Sequence, residues 1–259
     1  MQDLKVAIVQ SQLEWEQPEK NRIHFSNVIS DISQEVDLIV LPEMFTTGFS
    51  MSPEKCAEPM DGETTQWMKH MAMEKNSALC GSLIIAENGK YYNRFLFVTP
   101  EGVISTYNKR HLFTLAGEHE TYEQGKELVM IHYKGWKIRP QICYDLRFPV
   151  FVRNTDAYDL LIFVANWPET RVNAWDTLLK ARAIENLSYA IGVNRVGEDA
   201  NNLKYNGHSG VYDPLGNEIC DPIENEEKVV VVSINKNYVQ KVRKQLNFLK
   251  DRDNFKIDF

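Results

Sequence analysis

A carboxylate, an amine and a thiol stand at matching places in this chain of 259 residues. Glu43 follows the apolar run Asp37-Leu38-Ile39-Val40-Leu41, Lys109 follows the run from Val103 to Tyr107, and Cys143 follows the run from Trp136 to Ile142. Each run has the length and the β-branched or aromatic content of a strand. Open α/β sheets place their ligands at the carboxyl ends of strands. If the three strands share a sheet and run the same way, the three side chains meet at one edge. Taken singly, each has an ordinary explanation: Cys143 as a small core hydrophobe, Glu43 as a loop carboxylate and Lys109 as a solvated cation. Their common placement favours chemistry.

That chemistry is coherent. A thiol attacks a carbonyl carbon well only as the thiolate. Glu43 is suited to take its proton if partial burial lifts the carboxyl toward neutrality. Attack on an amide carbon creates an alkoxide. The Lys109 ammonium can face that charge, helped by the backbone N–H of Tyr144, the residue after the thiol. One such donor is typically worth about 3 kcal/mol in the transition state.

The elements that must position these groups read as alternating strands and helices with hairpins between them. Lys5 to Gln10 is a strand. Pro18 opens a helix whose buried stripe is Phe25, Val28, Ile29 and Ile32. With the run at 37–41 this makes a βαβ unit and predicts parallel neighbours. Thr46 to Asp61 reads as loop, and Thr64 to Lys75 as a helix with Trp67, Met68, Met71 and Ala72 on its apolar side. Ala78 to Glu87 and Tyr91 to Val98 form a hairpin about Asn88-Gly89, where both turn residues tolerate positive φ. His111 to Gly125 shows no period and reads as a surface or lid loop. Leu128 to Tyr133 pairs with Trp136 to Ile142, and a helix starts at Pro149. Leu160 to Ala165, the most apolar run, is a central strand. Trp175 to Asn186 is a helix, Tyr189 to Val196 a strand, Pro214 to Asn217 a hairpin turn, Lys228 to Ile234 the last strand, and Val239 to Phe248 the last helix. No linker or repeat divides the chain. One α/β domain over residues 1–259, with an irregular tail from about 249, is expected.

Composition removes several classes. The net charge is -7 and no basic stripe is present, so no nucleic-acid partner is expected. The cluster Lys241-Val242-Arg243-Lys244 reads as a solvated helix face. No apolar run approaches the roughly 20 residues of a membrane span, and Leu4 to Val9 enters a strand with no charged leader, so a cytoplasmic protein is expected. Cys56, Cys80, Cys143 and Cys220 are scattered without a CxxC pair, against disulfides and a cysteine zinc site. The six histidines show no HExxH spacing, and neither GxGxxG nor a P-loop occurs, so no metal or cofactor is expected. Gly207-His208-Ser209-Gly210 is not a nucleophile elbow, since it lies between strand-like segments.

Three stretches together resemble the signatures of the nitrilase superfamily of carbon–nitrogen hydrolases: Leu41-Pro42-Glu43, Asn108 to Phe113, and Ile142-Cys143-Tyr144-Asp145-Leu146-Arg147-Phe148-Pro149. Asn166-Trp167-Pro168, Ala181 to Asn186, and Ser209 through Asp213-Pro214-Leu215-Gly216 add to the resemblance, which runs from the first strand to about Ile234. It implies a four-layer αββα sandwich with mixed sheets. It implies Glu43 as base, Lys109 as oxyanion stabiliser and Cys143 as a nucleophile that forms a thioester. Glu118 matches a second glutamate that many members carry after the lysine, orienting the lysine or the deacylating water, although Glu120 and Glu123 stand close by.

Glu43 through Met51 and Cys143 through Pro149 are similar to the bacterial ω-amidases within that superfamily. This implies hydrolysis of the terminal amide of a small 2-oxo acid, 2-oxoglutaramate or 2-oxosuccinamate, with release of ammonia. The far carboxylate of such a substrate needs a cation, for which Arg147 and Arg171 are candidates, with Phe49, Phe113 and Trp167 as apolar walls. Arg147 has an alternative as the ion-pair partner of Asp145 or another acid.

Other readings carry less. A papain-like site needs a histidine base, His111 or His119, beside Cys143. An inert binding scaffold would tolerate loss of the cysteine, glutamate or lysine, and none is lost. Within the superfamily, an amidase for another small amide comes next and nitrile hydrolysis third. A homodimer is expected by resemblance, with Phe151, Trp175, Leu178 and Leu179 suited equally to its face and to the core of their own chain, and with Phe255, Ile257 and Phe259 of the tail on a neighbouring subunit.

Overall fold

Residues 3–259 are described by the structure, a computed structural model. The elements in chain order are β1 (Leu4–Gln10), α1 (Pro18–Ser30), β2 (Leu38–Val40), α2 (Pro53–Cys56), α3 (Glu63–Lys75), β3 (Ala78–Glu87), β4 (Lys90–Val98), β5 (Ile104–Asn108), α4 (Glu118–Thr121), β6 (Ile131–Tyr133), β7 (Trp136–Ile142), α5 (Pro149–Val152), β8 (Leu160–Ala165), α6 (Val172–Asn186), β9 (Tyr189–Asn194), β10 (Val196–Glu198), β11 (Lys204–Tyr212), β12 (Glu218–Glu224), β13 (Lys228–Ile234) and α7 (Lys236–Leu246). No helix among the described residues is long and apolar enough to cross a membrane.

The strands form two mixed sheets, ordered β13-β1-β2-β3-β4-β5 and β10-β11-β9-β8-β7-β6, with β12 on β11. β1, β2 and β3 are parallel neighbours, as are β7, β8 and β9. The period of two in a strand divides β1 between two cores. Leu4, Val6 and Ile8 enter the core shared with the second sheet, whereas Ala7 and Val9 join the core under α1 and α3. Phe25 and Ile29 of α1 and Met68, Met71 and Ala72 of α3 fill that outer core, with Trp67 half-buried beside them. Outside the second sheet, α6 lays down Trp175, Leu179 and Ala183. Helices, sheet, sheet and helices give the expected four-layer αββα sandwich.

One expectation about the site is corrected. β2 and β5 run the same way in the first sheet, but β7, which leads to Cys143, belongs to the second. Each sheet has an apolar inner face, and burying both at once stacks the sheets. The strand ends therefore meet across the stack and not along one edge.

Local structure departs from the sequence reading where elements are too short to show a period. The segment expected as a featureless loop contains a 3-10 turn at Thr114–Ala116 and the single turn of α4, joined at Gly117 with φ +72°. The helix at Pro149 is also one turn, and a 3-10 turn over Cys143–Arg147 precedes it. The strand expected from Tyr189 to Val196 breaks at Arg195 into β9 and β10.

The candidate dimer face is likewise corrected: Phe151, Trp175 and Leu179 are buried within their own chain, and Leu178 packs on the same core. In the tail Ile257 packs on the core and the Arg110 guanidinium stands 5.0 Å from the ring centroid of Phe259, while Phe255 and Phe259 stay exposed.

Candidate active site

Glu43 leaves the end of β2 and is fully buried. Burying a carboxylate requires donors. Its Oε1 accepts from Lys109 Nζ at 2.9 Å and from Asn93 Nδ2 at 2.8 Å, and its Oε2 accepts from the backbone N–H of Asn166 at 2.8 Å. Asn166 holds the same residue a second time, its Nδ2 donating to the Glu43 carbonyl at 2.7 Å.

Lys109 follows β5. Its backbone N–H donates to Asn93 O, and its carbonyl accepts from Gly125, both at 2.9 Å. Gly125 is dictated by contact: a Cβ there would stand 2.1 Å from Asn108 O. The ammonium is 1% exposed and donates to Glu43 and to Glu118 Oε1, each at 2.9 Å. It also lies 5.1 Å from the Phe49 ring centroid, over the face that attracts cations. Burial alone would depress the lysine, but the attraction of Glu118 and then Glu43 outweighs it and raises Lys109 above its ordinary value. It remains an ammonium.

Glu118, at the start of α4, is fully buried, and its Oε2 accepts from the Phe113 N–H at 2.6 Å. Burial raises this carboxyl and Lys109 opposes the rise. Glu120 and Glu123 are not at the lysine: Glu120 is exposed, and Glu123 pairs with Lys90 at 3.0 Å.

Cys143 opens the turn after β7 with φ +44°, a left-handed backbone that side chains other than glycine rarely adopt. Such strain is held where the surroundings over-determine it. The sulfur stands 3.9 Å from Asn166 O. Burial and then the charge of Glu43 push the thiol well above its ordinary value, while Lys109 pulls the other way. The resting group is thus a thiol, with a carboxylate and an ammonium beside it. This set can accept a proton, supply a sulfur nucleophile and face a developing oxyanion.

A cavity of about 400 Å³ opens over Cys143 and Lys109, within the size range of small-molecule sites. Tyr144 and Asn166 lie along it, as do the three expected aromatic walls, Phe49, Phe113 and Trp167. Arg147 and Arg171 line it too. Their guanidinium carbons stand 4.8 Å from the Trp167 ring centroid and 5.1 Å from that of Phe113. Arg147 does not pair with Asp145: among the described residues no carboxylate lies within 4.0 Å of either guanidinium, where the carboxylates near Lys109 are both within 3 Å. His111 binds Asp145 and His119 is half-exposed near Glu120, and neither lines the cavity, so a histidine base at Cys143 is set aside.

Sequence reasoning assigned no part to Asn93. Its amide reaches both Glu43 and Glu118, the latter at 3.3 Å, and its Oδ1 accepts from Ser82 Oγ at 2.8 Å. The available signal was a polar side chain on the buried face of β4. Asn166, in sequence only one residue of the Asn166-Trp167-Pro168 motif, fastens Glu43 from the second sheet.

The whole arrangement is that of a carbon–nitrogen hydrolase. The chain belongs to this family: residues 5–244 match the description "Carbon-nitrogen hydrolase". An ω-amidase of Yersinia enterocolitica is 47% identical over 83% of this chain and 84% of its own. A 2-oxoglutaramate amidase of Bacillus subtilis is 31% identical over 95% of this chain and 96% of its own. The crystal structure of XC1258 from Xanthomonas campestris, described as a CN-hydrolase superfamily protein with an arsenic adduct in the active site, superimposes with a TM-score of 0.96 at 42% identity and covers both chains completely.

The cluster predicts a specific coupling. Lys109→Met leaves two buried carboxylates without their cation and should cost about 3–5 kcal/mol of stability. Adding Glu118→Gln removes one of those charges and should recover part of the loss. Urea unfolding of the single and double variants measures this, and strictly additive losses would contradict the ion-pair description.

Proposed function

We propose that the protein is a cytoplasmic ω-amidase that hydrolyses the terminal amide of 2-oxoglutaramate or 2-oxosuccinamate to the dicarboxylate and ammonia. The supporting observation is the pair of guanidiniums, Arg147 and Arg171, which line the cavity over Cys143 and have no carboxylate partner among the described residues. Stacked on aromatic rings, they keep their donor edges for an anionic end of the substrate. The names of the Yersinia and Bacillus relatives point to the same substrate class.

In the proposed steps, sulfur attacks the amide carbon as its proton passes to Glu43, and the carbonyl oxygen becomes an oxyanion. Lys109 and the Tyr144 N–H stabilise that charge. The C–N bond then breaks, and the proton on Glu43 leaves with nitrogen as ammonia. Water adds to the thioester as Glu43 takes its proton; the C–S bond then breaks, and Glu43 passes that proton to the sulfur, which leaves the thiol and the carboxylic acid product. Glu118 holds Lys109 together with Glu43 and keeps the ammonium aimed.

Ammonia release tests the substrate. 2-Oxoglutaramate should turn over faster than glutamine, simple amides and a nitrile. Arg147→Ala and Arg171→Ala should each raise KM about tenfold or more, the loss of a charge-assisted contact worth about 1.5–3 kcal/mol. Unchanged KM in both variants, or activity on the nitrile alone, would contradict the proposal.

The homodimer remains part of this reading, now through the outer side of the second sheet, where Val150 on α5 and Ile184 on α6 stay exposed. Sedimentation should give a dimer, and a monomer alone at micromolar concentration would remove it.

A further inference from the structure

Asp145 has no part in the steps above, yet its carboxylate is fully buried and takes four contacts. Oδ2 accepts from the Ile142 N–H at 3.0 Å and from the Tyr107 hydroxyl at 2.7 Å. Oδ1 accepts from the His111 N–H at 3.0 Å and lies 2.8 Å from His111 Nδ1. An ionised carboxylate offers about four acceptor positions, so its capacity is filled.

The donors come from two segments. Ile142 directly precedes Cys143, whereas Tyr107 and His111 stand two residues to either side of Lys109. One carboxylate therefore ties the strand end that carries the thiol, in the second sheet, to the strand end that carries the ammonium, in the first. The tie is extended at both ends. The Tyr107 hydroxyl accepts from the Arg110 N–H at 3.1 Å, next to Lys109. The His111 ring stacks on Phe148 with centroids 3.6 Å apart.

The turn itself needs such restraint. Cys143 holds a left-handed φ, a conformation that costs of order 1–3 kcal/mol and persists only when its neighbours fix it. Asp145 fixes the entry to the turn through Ile142. Arg182 fixes the exit, its Nε and Nη2 donating to Leu146 O at 3.1 and 2.6 Å.

We infer that Asp145 is a positioning residue that sets the distance and angle between the Cys143 sulfur and the Lys109 ammonium. It does not line the cavity and touches no reacting atom. The inference rests on the roles proposed above for Cys143 and Lys109. A misplacement of about 1 Å between reacting groups is enough to cost roughly 100-fold in rate.

Asp145→Asn keeps the size of the side chain but turns one acceptor into a donor that faces other donors. kcat and KM for 2-oxoglutaramate are measured per mole of folded protein, with the urea midpoint alongside. The expected result is a kcat lower by about 30-fold or more with KM within threefold, a split that a purely structural loss would not give. If Asp145→Asn does not accumulate as folded protein, Tyr107→Phe, which deletes one of the four donors, should lower kcat about three- to tenfold at unchanged KM. A wild-type kcat per folded molecule in Asp145→Asn, or in Tyr107→Phe where the first variant fails to fold, overturns the inference. Cys143→Ala separates the two levels. If it is inactive while Asp145→Asn works normally, only the positioning role falls; if it retains full turnover, the thiol's role and this inference fall together.

Discussion

Everything in the site depends on one buried cation held between two buried carboxylates. Lys109 donates to Glu43 and to Glu118 at equal distances; both carboxylates are fully buried and only 1% of the lysine side chain opens to the cavity. Ions in such surroundings persist only with close partners and further hydrogen bonds. Asn93 and the Asn166 and Phe113 amides supply those. Burial, and after it the charge of Glu43, holds the Cys143 sulfur as a thiol against the pull of Lys109. The same carboxylate that opposes the thiolate is the one suited to receive its proton. In the proposed steps the proton therefore moves during attack, and the site does not start as an ion pair of thiolate and ammonium.

The fold serves that cluster by bringing strand ends from two sheets into one place. Glu43 and Lys109 come from the first sheet and Cys143 from the second. The core between the sheets supplies the adhesion, but apolar packing is not directional and cannot set distances between polar groups to a few tenths of an ångström. Polar ties across the stack do so, Asn166 on Glu43 and Asp145 on the Lys109 segment. Their burial makes them costly to break.

Much of this was legible in the sequence, for a physical reason. A strand buried on both faces writes a continuous apolar run, as β2 does before Glu43, while β5 and β7 carry polar residues and showed themselves by β-branched and aromatic content, with Lys109 and Cys143 at their ends. The partition into two sheets was not legible, because a run of apolar residues carries no mark of which sheet it joins. Asn93 was missed since one polar residue inside a hairpin strand looks like a solvent-facing position. The turns around Glu118 and at Cys143 span too few residues to show a period, and a single left-handed residue leaves no trace in composition. Trp175 and Leu179 looked equally suited to a subunit face and to the interior; the packing of α6 on the second sheet, which buries both, is a tertiary fact.

The most direct test of the convergence is rapid-quench intact-mass analysis of the protein mixed with 2-oxoglutaramate. The account predicts a transient acyl adduct located on Cys143, formed by the wild type and absent from Cys143→Ala. Ammonia release at the normal rate with no adduct on that residue, or with an adduct elsewhere, would contradict it.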